Sequence, residues 1–120
     1  MEQMTPEDLK NRTKRFALSI LRLCDELPRS AAGRAIANQL VRAGTSVAAN
    51  YRAACRARSQ ADFVSKIGLV EEEADETAFW IELLMDAEMI GQSKLAPLAR
   101  EADELTRIMV ASGRKVRPRA

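Results

Sequence analysis

The sequence contains no histidine. That removes the usual general base near neutral pH, the commonest metal ligand and the Glu-x-x-His pairs of di-metal helical bundles. Cysteine occurs twice, as Cys24 and Cys55, and neither has a neighbour that would activate it as a nucleophile. Both fall in apolar helical stretches and read as buried free thiols, which fits a reducing cytoplasm. Glycine is scarce, with 5 in all, and none belongs to a phosphate-cradling loop. Aromatics make up only 4%. The aromatic interleaving by which single-strand binders stack bases is therefore missing. No run approaches the roughly 18 apolar residues of a membrane span. The first 25 residues are too charged for a secretory leader.

What remains is rich in Ala, Leu, Arg and Glu, the composition of a helix former. At 120 residues the chain is long enough for one domain with a core of its own. Apolar residues recur at steps of three and four in four segments, predicting helices over about 6–26, 30–57, 60–90 and 94–112. Thr5, Ser30 and Ser59 are the expected N-caps, with Asp62 completing a weak capping-box signal after Ser59. Pro28 stops the first helix, Gly91 is the expected left-handed cap of the third, Pro97 falls in the first turn of the fourth, and Gly113 ends it. Short connections between long amphipathic helices force antiparallel neighbours. The expected fold is all-α, an antiparallel up-down-up-down four-helix bundle over residues 1–113. Residues 114–120 read as a basic flexible tail.

The net charge of +2 conceals an uneven distribution. Residues 10–58 carry eleven Arg or Lys against Asp25 and Glu26, and residues 59–104 carry three cations against twelve carboxylates. Such blocks serve either as complementary helix faces or as a surface for phosphates. The run Glu71-Glu72-Glu73-Ala74-Asp75-Glu76 points its carboxylates in several directions and reads as a solvated face, not a cation site. No metal or cofactor is expected, and no constellation supports catalysis.

Two features of the second helix stand out. Its inward stripe is read as Ile36, Leu40, Ala43, Val47, Asn50 and Ala54, which places the Asn50 amide among apolar side chains beside Tyr51. A buried amide must be hydrogen-bonded, so Asn50 is expected to fix register or, alternatively, to touch a ligand. The opposite face carries Arg34, Arg42, Arg52 and Arg56, with Arg58 just beyond. Arginine forks match phosphate oxygens. The same side chains would equally serve salt bridges to the acidic third helix, within or between subunits. Gly44, Ala48, Ala49 and Gly68 allow close backbone approach, inside one bundle or between subunits.

The segment Gln39-Leu40-Val41-Arg42-Ala43-Gly44-Thr45-Ser46-Val47-Ala48-Ala49-Asn50-Tyr51-Arg52-Ala53-Ala54 resembles the four-helix-bundle family of 23S rRNA intervening-sequence proteins. The accessory variability protein of diversity-generating retroelements is related to that family. Leu27-Pro28, Arg58-Ser59 before Phe63, and Glu73-Ala74-Asp75-Glu76-Thr77 followed by Trp80-Ile81-Glu82-Leu83-Leu84 add to the likeness, which covers roughly residues 15–90. The resemblance implies a bacterial cytoplasmic protein that forms a homopentamer and offers a basic surface to nucleic acid. Family members commonly have Glu three residues after the motif Asn, where this chain has Ala53. The expectation is a non-catalytic oligomeric adaptor that binds RNA or DNA through Arg34, Arg42, Arg52, Arg56 and Arg58, with a nucleic-acid-processing protein as a further possible partner. The alternative is a protein-interaction scaffold whose charged faces pair between subunits, without nucleic acid.

Overall fold

A computed structural model describes residues 4–116 and contains four helices: α1 (Pro6–Asp25), α2 (Ala31–Ala54), α3 (Gln60–Asp86) and α4 (Gln92–Val116). There is no strand among the described residues. Successive helices pack side by side, and α1 closes the square against α4 through the thinnest of the four seams. The bundle measures 47 × 29 × 26 Å. Helices α1 and α3 therefore stand at diagonally opposite corners, as do α2 and α4.

Helices α1, α2 and α3 each start where a side chain accepts one of the free N–H groups. Thr5 takes the Asp8 N–H while the Asp8 carboxylate takes the Thr5 N–H, a complete capping box. Ser30 Oγ accepts from Gly33 N at 3.1 Å. Ser59 Oγ accepts from Asp62 N at 3.0 Å, and the Asp62 carboxylate reaches back to the Arg58 N–H at 3.1 Å. Gly33 has no room for a side chain, since a Cβ there would collide with the Pro28 carbonyl.

The core is the apolar stripe of every helix: Phe16 and Ile20, Leu40 and Val47, Ile67, Val70 and Ile81, Leu95, Leu105 and Met109. Thr13 and Thr77 are fully buried. Their hydroxyls donate to the carbonyls of Leu9 and Glu73 one turn back, at 2.8 and 2.7 Å, so neither is left unpaired. Helices α1 and α2 approach closely where Gly44 faces Ile20, whose Cγ2 would lie 2.8 Å from an added Cβ. Gly44 thus packs within the bundle. An added Cβ at Gly68 would meet nothing within 4 Å. Burial pushes the Cys24 thiol up to about 11, so it stays protonated, whereas Cys55 is exposed rather than buried.

Several helix ends differ from the periodicity reading. α2 stops at Ala54, where Arg56 N and Ala57 N tighten onto the carbonyls of Ala53 and Ala54, three residues back. α3 stops at Asp86, four residues early. Glu88 takes the left-handed conformation (φ 54°), and Met89 N and Glu88 N bond to the carbonyls of Leu84 and Met85. That is the Schellman arrangement, with Glu88 in the position expected of Gly91. Pro97 lies two residues deeper than expected, in the second turn, because α4 begins at Gln92. α4 also passes through the buried Gly113 to Val116, so Arg114 and Lys115 are helical; the rest of the expected tail, residues 117–120, lies outside the described residues.

Candidate nucleic-acid interface

The five arginines singled out on α2 and the following turn do not form one surface. Arg34 is exposed at the start of α2, eighteen residues and roughly 27 Å of helix before Arg52. Arg42 turns toward α3. Its guanidinium pairs with Glu73 at 3.1 Å and with Glu76, while Gln39 accepts from the same fork. Glu76 also receives the Trp80 indole N–H at 3.1 Å. Arg42 and the acidic run of α3 thus pair within one chain.

Arg52, Arg56 and Arg58 come together around the α2–α3 turn. All three are exposed, and none has a carboxylate within salt-bridge distance among the described residues. They line a cleft of 610 Å³ with Ala49, Ala53, Asp62 and Lys66. On the far side of Arg52 and Arg56 a second cleft, of 510 Å³, is lined by Lys10, Asn11 and Lys14 of α1 and by Thr45 and Ala48. Arg52 and Arg56 form the ridge shared by both. Lys10, Lys14 and Lys66 belong to this surface although they lie outside the α2 pattern. Only the register between helices brings them to it.

Two carboxylates lie on its edges. Glu7 pairs with Lys10 at 3.3 Å and Asp62 with Lys66 at 2.6 Å. The Lys66 ammonium and the Arg58 N–H hold the Asp62 carboxyl below its ordinary range, so it is charged at neutral pH. Six cations against two carboxylates leave the surface strongly positive. The last turn of α2 adds a reason for its place in the fold, because cations at a helix C-terminus oppose the negative end of the dipole.

Asn50 is a correction. It is half-buried on the flank of α2, and Tyr51 takes the inward position, 4% exposed. Eleven residues make almost three whole turns, so Tyr51 lies within about 20° of Leu40 whereas Asn50 is about 80° away. Burial raises the Tyr51 phenol well above its ordinary value. No side-chain hydrogen bond of Asn50 occurs among the described residues.

No group of three or more metal-ligating side chains occurs among the described residues. None of the described helices is long and apolar enough to cross a membrane.

The sequence profile of the 23S rRNA-intervening sequence protein family matches residues 7–111. A crystal structure of a protein of unknown function from the S23 ribosomal protein family of Bacteroides thetaiotaomicron is similar, with 30% identity and a TM-score of 0.84 over 92% of this chain and 99% of that one. No curated protein matches the sequence.

Proposed function

We propose that this chain, which belongs to the 23S rRNA-intervening sequence protein family, is a non-catalytic cytoplasmic adaptor that assembles with copies of itself and grips the phosphate backbone of nucleic acid. The ridge of Arg52 and Arg56 is the centre of that grip, with Arg58 and Lys66 on one side and Lys10 and Lys14 on the other. The observation that carries the reading is the clustering of three arginines at the α2–α3 turn without a carboxylate partner among the described residues, in a chain where Arg12 and Arg42 are paired. Leaving three guanidinium groups adjacent and unneutralised costs repulsion, which an anionic ligand would relieve. The family's name ties its members to ribosomal RNA, which favours structured RNA as the first ligand to try.

Recognition rests on backbone and shape. Tyr51 is buried, so no aromatic on α2 is presented for stacking, and phosphate contacts carry no base readout. Arg42 and Arg34 do not share this surface: the first is neutralised by α3 and the second lies at the opposite end of α2.

Fluorescence anisotropy with structured RNA, duplex DNA and a DNA–RNA hybrid tests the proposal. The double variant R52E/R56E is expected to lower affinity on the order of 100-fold at moderate salt while its melting temperature stays near that of the parent. Equal binding by parent and variant, or no binding by the parent at low salt, would reject it.

A further inference from the structure

Two exposed faces of the bundle are apolar, bordered by opposite charge and uncovered among the described residues. Along the outer side of α3, Leu69, Phe79 and Leu83 are 47, 52 and 37% exposed. The spacing of 10 and 4 residues spreads them over about 80° of the helix surface, on the side away from the buried Val70, Ala74 and Ile81. Glu72, Asp75 and Glu82 border them, exposed and unpaired among the described residues. Gly68 adds a recess, with nothing within 4 Å of where its Cβ would be.

The second face belongs to α1 and α2. Gly44 against Ile20 and the Cys24 thiol donating to the Ala37 carbonyl at 3.6 Å set the register of these antiparallel helices. That register puts Val41 level with Leu21, with Leu18 one turn toward Lys14. All three are exposed, at 37, 40 and 42%. Here Lys14, Arg22 and Arg34 border the apolar patch and outnumber Asp25, and the three cations are unpaired among the described residues.

We infer that the α3 face of one copy docks on the α1–α2 face of the next, Leu69, Phe79 and Leu83 against Leu18, Leu21 and Val41, with Glu72 and Glu82 meeting Arg22 and Arg34. This rests on the self-assembly part of the proposed function and names the faces that perform it. Charge selects the pairing. Two α3 faces together would set carboxylate against carboxylate, and two α1–α2 faces cation against cation, so a self-complementary two-fold contact is disfavoured at both. Since α1 and α3 occupy opposite corners of the bundle, the contact is head-to-tail, the class that builds a closed ring or an open filament according to the rotation between copies. It uses none of Lys10, Arg52, Arg56, Arg58 or Lys66, so the cleft lined by Arg52, Arg56, Arg58 and Lys66 stays open on the assembled protein, while Lys14 lies at the margin of both surfaces. It also gives Arg34 a role apart from nucleic acid.

Two polar variants test the pairing, each breaking one face without giving the broken faces complementary charges: F79N/L83N on α3 and L18N/L21N on α1. Sedimentation velocity and light scattering should show the parent as a multiple of 13.3 kDa and each variant alone as a monomer with unchanged helix content. Mixed in equal amounts, the variants retain one intact face each and should form a dimer that grows no further. If a double variant melts early, the single substitutions L83S and L21S provide the same comparison at lower protein concentration. A parent that stays monomeric would overturn both the inference and the self-assembly reading. A parent that assembles while either variant remains assembled would overturn the inference alone, and so would a mixture that yields no dimer.

Discussion

Arg42 and Arg52 lie on the same helix, ten residues apart, and the molecule treats them differently. In the middle of the bundle Arg42 is clasped by Glu73, Glu76 and Gln39. Across the opposite seam Arg12 forks onto Glu101 at 2.7 and 2.6 Å and reaches Glu104 at 3.1 Å. That pairing raises the Arg12 guanidinium pKa further above its ordinary value. Around the α2–α3 turn the arginines have no such partners among the described residues, and the acids nearest them, Glu7 and Asp62, are held by lysines. The basic half of the sequence is thus two populations. One holds helices together, and the other is left for something outside the chain.

The largest effect on stability that separates the populations is expected at Arg12. Its side chain is 15% exposed and its bidentate partner Glu101 28%, in the seam where α1 and α4 touch least. Arg12→Ala should cost about 2 kcal/mol in urea unfolding, the usual size for charge-assisted hydrogen bonds lost from a partly buried site, and leave nucleic-acid affinity unchanged.

Next is Ala53, which lines the basic cleft with Arg52, Arg56 and Arg58. Ala53→Glu should weaken binding about tenfold, roughly 1.4 kcal/mol, without destabilising the fold. A binding-neutral A53E would erase the distinction between open end and paired middle. Asp62→Asn changes the same cleft in the other direction. It removes a carboxylate while keeping a side chain that can still accept from Arg58 N–H, and affinity should rise two- to threefold, on the order of 0.5 kcal/mol. Smallest in its effect on binding is Arg42→Ala. A pair this exposed, with Arg42 at 48%, contributes up to about 1 kcal/mol at most, and anisotropy titrations of R42A should overlay the parent.

The stripes of core residues were legible because period 3.6 is written in the sequence itself. Of the stripe read on α2, Ile36, Leu40, Ala43, Val47 and Ala54 all face inward as expected. Asn50 was misplaced because alternate steps of three and four drift against a straight helix, a deviation that grows along α2. The early end of α3 was hidden by a carboxylate residue, Glu88, in the left-handed position that sequence patterns reserve for Gly or Asn. For the site, the cluster at Arg52, Arg56 and Arg58 could be read along one helix and its turn. The exclusion of Arg42 and the inclusion of Lys10, Lys14 and Lys66 could not. Both depend on which residues of neighbouring helices lie alongside, and helical periodicity carries no information about register between helices.

The salt dependence of RNA binding tests the division between the two arginine populations most directly. Each phosphate neutralised releases condensed counterion, so the slope of log K against log salt counts the cations engaged. The account predicts a parent slope of roughly −3 to −5 per chain, unchanged in R42A and reduced in magnitude by about 2 in R52E/R56E. A flat parent line, or equal slope changes in the two variants, would contradict it.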